Sequence, residues 1–569
     1  MKAERQDHTN RQAAIFSAFR NPDFYPHPVS AIQVEETHIS KVFLTGKFVY
    51  KIKKPVDFGF LDYTTLEKRH YYCKQEVLLN NRLSEDVYLD VVPVTEERTG
   101  YVLDGSGEPV EYAVKMRQLA KERTMLHLLR RGDFSPKMLR DLVQILVRFY
   151  EKTDKGPAID VMGSRELIWV NIEEDFVQTN PFVSTVLDKV QFSDVHRRVR
   201  NFLNTRAELF DRRVKSGCIR DCHGDLRLGH IYFTDSLSII DCIEFNDRFR
   251  YGDVASDLAF LAMDLDYNGF AQIGQELLAE YARSADDTDI FLLVDFYKCY
   301  RAHVRCKVEC LRYGAGDLSA PEAALAKARA RSYFELAWKY ADTFSSQTMW
   351  IVCGLSGSGK STIAAELGKL MNLKCYRSDV VRKRLFGLSP EEQVVVPFGE
   401  SIYTPTASEK TYEKLLLEGQ KHLSRGRSVI LDATFGRLQH RKLARSLAEE
   451  MEANVIFIEC RCEQALLRQR LTSREEQKSV SDARLQHLDA QSRAFEPFDE
   501  LGDSIHLPIG TEQPLHQCVH EILSKGYLLQ NQQGDARRKQ AAGNLQVAPD
   551  RSRRSEVRSQ TAGENGSNC

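Results

Sequence analysis

The chain has 569 residues, too many for one hydrophobic core, so two or three domains are expected. Hydrophobic residues make up 42% and charged residues 28%, and 79 basic against 80 acidic side chains leave a net charge of −1. That is globular composition, and its balance excludes a whole-chain nucleic-acid or membrane-surface binder while leaving room for a local patch. The first residues, Met1-Lys2-Ala3-Glu4-Arg5-Gln6-Asp7, lead into no apolar run, so no signal peptide is read. Runs such as Ile290-Phe291-Leu292-Leu293-Val294 fall far short of the ~18 residues that span a bilayer, so a cytoplasmic protein with no membrane contact is expected. Thirteen cysteines include only three close pairs, Cys218/Cys222, Cys306/Cys310 and Cys460/Cys462, and no spacing completes a zinc site or a disulfide framework.

In chain order, Phe48-Val49-Tyr50-Lys51-Ile52-Lys53 reads as a strand after the turn Thr45-Gly46-Lys47. Strand alternation puts Lys51 and Lys53 on one face, opposite Phe48, Tyr50 and Ile52. A helix from about Leu66 then carries Glu76, placed for an ion pair with a strand lysine. Further on comes Cys222-His223-Gly224-Asp225-Leu226-Arg227-Leu228-Gly229-His230, followed by Ile239-Ile240-Asp241-Cys242-Ile243-Glu244-Phe245. A carboxylate in a tight loop and a second after a short apolar strand suit phosphoryl transfer. Asp225 would orient a hydroxyl nucleophile and Asp241 would hold Mg²⁺ on the phosphates. Arg301 and Arg305 share a helical face, either a landing for an anionic substrate or a solvated basic surface.

A polar link, Asp342-Thr343-Phe344-Ser345-Ser346-Gln347, then precedes an abrupt apolar strand. The expected domains are 1–343 and 344–528, with a disordered tail over 529–569. That tail lacks aromatic residues and has too little apolar surface to offset its ordering entropy. Its seven Arg/Lys against four Asp/Glu suit a solvated tail better than an RNA contact, since no aromatic side chain interleaves them. Strand-like runs at Thr348–Cys353, Leu373–Arg377, Ser428–Leu431, Asn454–Glu459 and Ser504–Leu507 alternate with helical patterns. A parallel α/β sheet is therefore expected, with ligands at the strands' carboxyl ends.

Directly after the first of these strands stands the P-loop Gly354-Leu355-Ser356-Gly357-Ser358-Gly359-Lys360-Ser361-Thr362, leading into a helix near Lys360. Its backbone amides would cradle the phosphates of ATP, Lys360 would reach the β/γ-phosphates and Ser361 would ligate Mg²⁺. Asp379, in Arg377-Ser378-Asp379-Val380-Val381-Arg382, reads as the end of the second strand. There it would take the proton of an acceptor hydroxyl while Arg382 steadies a phosphate. Asp432 closes the third strand where a Mg²⁺-holding carboxylate belongs; for both aspartates a helix N-cap is the alternative. Leu467-Arg468-Gln469-Arg470-Leu471-Thr472-Ser473-Arg474 reads as an Arg-rich helix, followed by the polar stretch 475–482.

Over residues 348–510 these motifs resemble P-loop small-molecule and polynucleotide kinases, including the zeta-toxin and gluconate-kinase-like groups. The element Ser378-Asp379-x-x-Arg382 is similar to that of a phage 5′-hydroxyl polynucleotide kinase. The resemblance implies that Arg470 or Arg474 closes as a lid on the transferring phosphate, against the alternative of a solvated Arg face. Residues 30–340 resemble the aminoglycoside phosphotransferase branch of the protein-kinase-like superfamily, a bilobal α+β fold. This resemblance implies ATP phosphates on Lys51, Glu76 supporting that lysine, and Asp253 and Asp257 supporting the catalytic loop. The family normally has an Asn as Mg²⁺ ligand five residues after the catalytic Asp; here that position is His230, a poorer partner for a hard ion.

The whole chain thus looks like a fusion of these two types, expected to move the γ-phosphate of Mg-ATP to an unidentified hydroxyl acceptor. Two other readings stay open: an ATP-hydrolysing regulatory switch with a ligand-binding pseudokinase half, and a nucleic-acid 5′-end kinase, which the charge balance disfavours. Oligomeric state is not legible.

Overall fold

The computed structural model describes residues 11–547 except Thr99, Asp317, Val395, Phe398 and 476–483. The side chains of 474–475 and 542–547 are likewise outside the description. The chain divides into two compact units, Met1–Ser345 and Ser346–Cys569.

The first unit begins with six antiparallel strands: β1 Gln33–Glu36, β2 Ser40–Leu44, β3 Phe48–Lys53, β4 Tyr88–Glu97, β5 Gly100–Leu103 and β6 Pro109–Arg117. Their order in the sheet is β1-β2-β3-β6-β4-β5. Alternation along β3 decides what covers each face. Tyr50 and Ile52 join Phe43, Val92 and Ala113 under Ile15, Phe19 and Tyr25 of the N-terminal segment. The opposite face carries Lys51 and Lys53 toward the helix Leu66–Asn80, beside an apolar patch of Val49, Cys73, Val114 and Met116. That helix starts where the Thr65 side chain accepts from the Lys68 amide, an N-cap that satisfies one of the unpaired first-turn donors.

The rest of the unit is mostly helical. The helix Val254–Tyr267 is buried from Val254 to Leu265, so it forms the core against which its neighbours pack. Two short ladders frame the loops that matter. β7 Ile219–Asp221 pairs with β10 Tyr251–Asp253, and β8 Ile231–Phe233 pairs with β9 Leu237–Ile239. They place His223 to Asp225 between β7 and β8, and Asp241 just past β9.

The expected polar link at 342–347 is shorter than read, because the helix Ala320–Ser345 runs through most of it. Within it the Thr343 and Ser345 hydroxyls donate back to the carbonyls of Lys339 and Ala341, and Arg198 pairs with Asp342 at 3.4 Å. Arg301 is not on a solvated surface either. It is buried, donates from Nε to Ser256 Oγ at 3.1 Å and lies over the Phe260 ring.

The second unit is a five-stranded parallel sheet in the order β12-β13-β11-β14-β15. Its strands are β11 Thr348–Cys353, β12 Lys374–Arg377, β13 Val429–Asp432, β14 Asn454–Arg461 and β15 His506–Gly510. β11 is buried at every position, as a central parallel strand covered on both faces must be. The fifth strand starts two residues later than the sequence suggests and runs through Pro508, which an edge position tolerates.

The tail expectation is corrected over 529–547. The helix Leu515–Val547 continues through that stretch. Beyond the buried Leu529, polar side chains fasten it: Gln530 donates to Thr348 Oγ1 at 2.8 Å, Gln533 brackets the backbone of Val455, and Arg537 donates to Asn454 at 2.6 Å. Residues 1–10, 476–483 and 548–569, which include the charged start, most of the polar stretch after the Arg-rich helix and the end of the tail, lie outside the described residues. Among the described residues no helix is long and apolar enough to cross a membrane.

Candidate active sites

The P-loop turns over the carboxyl end of β11 into the helix Lys360–Leu370. Gly354 has φ +123° and lies so close to β14 that a Cβ would sit 2.4 Å from the Cys460 carbonyl oxygen, so only glycine fits. Lys360 Nζ donates to the Leu355 carbonyl at 2.8 Å, folding back across its own loop, and the Ser356 amide donates to Gln491. Ser356, Gly357, Gly359, Lys360, Ser361 and Thr362 line a cavity of about 410 Å³. Gly354 and Ser358 instead face a hollow of about 660 Å³ on the loop's other flank.

Asp379 and Asp432 line the same cavity as Lys360. Asp379 does not end β12 as read; it stands in the first turn of the helix Ser378–Leu385, since the chain turns helical directly after Arg377. Arg382, one turn on, reaches its carboxylate at 3.4 Å. Asp432 is the last residue of β13. Burial raises its pKa although Lys360 and the Ser361 hydroxyl oppose the shift. The buried Asp432 carboxylate, with Arg377 Nε at 3.4 Å, and the nearby Ser361 hydroxyl are hard oxygens of the kind Mg²⁺ takes, so the two fit Mg²⁺ once Arg377 yields its carboxylate oxygen. Arg470 lies at the loop's far edge, donating to the Thr511 carbonyl at 2.7 Å and hydroxyl at 3.1 Å, with the Gly357 carbonyl 3.5 Å away. Arg474 is in the last turn of the helix Gln464–Glu475, and its side chain is outside the description.

The first unit gathers its candidates differently. Lys51 Nζ is 2.7 Å from Glu76 Oε1 and 2.9 Å from Asp241 Oδ1. Lys53, fully buried, reaches Glu76 Oε2 at 2.7 Å and also pairs with Glu244, whose carboxylate accepts from the Tyr63 hydroxyl. Asp241 and Glu244 belong to one short segment, so the charges close a ring through β3, the helix Leu66–Asn80 and the segment after β9. Burial alone would raise Asp241, yet Lys51, with His230 and Arg227, holds the carboxyl far below the usual range.

Asp257 holds the His-Gly-Asp loop by accepting from the amides of His223 at 2.7 Å and Gly224 at 2.8 Å. Gly224 has φ +84°, and a Cβ there would meet Ile243 at 2.9 Å. Asp225 is gripped by Arg227, whose Nε and Nη2 donate to its two oxygens at 2.8 and 2.9 Å. Burial would raise this carboxyl as well, and Arg227 instead pulls it far down. His230 donates from Nδ1 to the Asp225 carbonyl, so its Nε2 accepts from Arg227 at 2.9 Å. Burial and the neighbouring guanidinium lower its pKa to about 4, leaving it neutral.

Asp225, His230 and Asp241 offer ligand atoms within 4.8 Å of one another. They do not fit Mg²⁺ as they stand, because Arg227 occupies both oxygens of Asp225 and the lone pair of His230, and imidazole suits softer ions. Sequence reasoning missed Arg227, Glu244 and, in the second unit, His440 and Arg437. The first two stand two and three residues after Asp225 and Asp241, which is the signal that was available.

Residues 349–498 match the family model described as an AAA domain. The chain is also 33% identical over 458 residues to the uncharacterized protein Rv2004c of Mycobacterium tuberculosis (strain ATCC 25618 / H37Rv), covering 79% of this chain and 88% of that one. The figures are the same for the uncharacterized protein Mb2027c of Mycobacterium bovis. The chain belongs to the family of these mycobacterial proteins. Among solved structures, it is similar to a gluconokinase from Sinorhizobium meliloti 1021, with 18% identity, TM-score 0.24 and coverage of 33% of this chain and 95% of that one. It is also similar to the amicoumacin kinase hAmiN in complex with AMP-PNP, Ca²⁺ and Ami, with 13% identity, TM-score 0.37 and coverage of 59% and 96%. The kinase-like character of this family member's first unit stands on its own elements. They are a strand lysine paired to a helix glutamate, a His-Gly-Asp loop and an aspartate just past the following β8–β9 hairpin.

Proposed function

We propose that the P-loop unit transfers the γ-phosphate of Mg-ATP to a hydroxyl acceptor. The observation that carries this reading is that Lys360, Ser361, Asp379, Arg382 and Asp432 line one cavity at the carboxyl ends of adjacent parallel strands. Lys360 would leave the Leu355 carbonyl for the β/γ-phosphates. Ser361 and Asp432 would hold Mg²⁺, which supplies charge neutralisation on the phosphate oxygens. Asp379 accepts the acceptor's proton as the new O–P bond forms, the bond from the γ-phosphorus to the bridging oxygen breaks, and ADP leaves. Arg470 is near enough to Gly357 to steady a phosphate by releasing Thr511.

For the first unit we propose binding without efficient transfer. The observation favouring this is the bidentate Arg227 on Asp225, which blocks a general base as firmly as it blocks a metal ligand. The reading of the P-loop unit is tested by Asp379→Asn. Transfer from labelled ATP should fall by about 100-fold or more while nucleotide affinity stays within about threefold, since a base acts on the acceptor and not on the nucleotide. Parallel loss of both would make Asp379 a structural residue. Undiminished ATP hydrolysis with no acceptor labelled would favour the switch.

A further inference from the structure

The cavity beside the P-loop holds more basic character than its own acidic groups neutralise. Lys360, Arg377, Arg382 and Arg437 line it against Asp379 and Asp432. Lys360 serves the P-loop and Arg377 faces Asp432 at 3.4 Å, which leaves Arg382 and Arg437 with Asp379. Arg382 is only 8% exposed, its guanidinium lies 4.7 Å over the Tyr403 ring, and its Nε is buried with no hydrogen-bond partner among the described residues. On the facing helix Leu438–Glu450, His440 is 4% exposed and stacks on Tyr412 at 3.7 Å. Its Nε2 is buried and equally without a partner. Burial, then Arg437, lowers this imidazole's pKa to about 4, so at neutral pH it is uncharged.

Two side chains from separate helices, each more than nine-tenths buried, thus line one cavity with an unsatisfied nitrogen apiece. Such groups are costly to keep unless something completes them. A guanidinium on an aromatic ring calls for an oxyanion, and a neutral imidazole calls for a hydroxyl.

We propose that the acceptor is a small hydroxyl-bearing oxyanion, with its anionic group on Arg382 and Arg437, one hydroxyl on His440 and another presented to Asp379. This rests on the phosphoryl-transfer reading of the cavity and adds the acceptor's chemical class. It also explains the 3.4 Å contact between Arg382 and Asp379. An anion that engages the guanidinium draws it off the carboxylate, freeing Asp379 to take a proton only when an acceptor is in place. A volume of about 410 Å³ shared with the P-loop suits a small molecule.

The test uses the full-length protein with Mg-ATP and matched acceptors: neutral sugars, the corresponding sugar acids, the corresponding sugar phosphates and a 5′-hydroxyl oligonucleotide. ADP release should favour one anionic series over its neutral partners by about 100-fold in kcat/KM, the sugar acids pointing to a carboxylate and the sugar phosphates to a phosphate monoester. Arg437→Gln, at an exposed position, and His440→Gln should each raise the preferred acceptor's KM about tenfold. Nucleotide binding to wild type and Lys360→Ala is measured alongside. If ATP binds and Lys360→Ala weakens it, three results overturn the anion inference alone: neutral sugars preferred, only oligonucleotide ends labelled, or no anion accepted. If ATP does not bind, the phosphotransfer reading fails and takes this inference with it.

Discussion

The two candidate sites carry similar chemistry in opposite electrostatic states. In the first unit nearly every charge is answered internally: Lys51 and Lys53 share Glu76, Asp241 and Glu244 close the ring, and Arg227 seals Asp225. In the P-loop unit Asp379 has one long contact, while Arg382 and His440 keep buried nitrogens without partners among the described residues. A closed network holds its geometry without a ligand, whereas an incomplete one is most stable with a ligand bound. This contrast is the basis on which we propose binding for the first unit and turnover for the second.

The largest effect expected from breaking the closed network is at Lys53. Lys53→Met should destabilise the first unit by about 3–5 kcal/mol, because it leaves Glu76 and Glu244 buried with one cation instead of two. Amide exchange resolved over 11–345 would read this without interference from the other unit, and protection unchanged there would show the ring to be ornamental. Opening the Asp225 end is a smaller step. In a Lys360→Ala background, Arg227→Met should raise the first unit's affinity for Mg-AMP-PNP about tenfold, since Asp225 regains two free hard oxygens. A fall in affinity would make Arg227 a contact of the nucleotide itself.

Much of this was legible because the signals are local. The P-loop announces itself by glycines at fixed spacing, and the lysine face of β3 by alternation alone. The long-range partnerships were not. Nothing in Arg227 says that its guanidinium folds back on Asp225, and the stack of His440 on Tyr412 joins residues 28 apart in number whose only relation is the cavity between two helices. The helix to Val547 escaped for another reason: amide and guanidinium groups fasten it to β11 and β14, which composition reads as solvated polar chain.

A further effect, on acid stability alone, is expected from a histidine outside both sites. His303 is buried between Phe176 and Phe334, bonds Thr179, and is lowered by burial to a pKa of about 3. The unfolded chain binds its proton near pH 6.5 and the folded one does not, so the first unit should lose stability as pH falls from 6.5 toward 3. The loss from this group is on the order of 3 kcal/mol or more. His303→Gln should flatten that part of the profile, as followed by denaturant midpoints at stepped pH; an unchanged slope would place the acid sensitivity elsewhere.

The central claim is that turnover belongs to the P-loop unit. Its most direct test is hydrolysis and transfer from γ-labelled ATP by full-length Lys360→Ala and Lys51→Ala, compared side by side with wild type. Lys360→Ala should lose about 100-fold or more, since it removes the main side-chain charge on the transferring phosphate, and Lys51→Ala should stay within about threefold. Activity that survives in Lys360→Ala and disappears in Lys51→Ala would contradict the account and move the chemistry to the first unit.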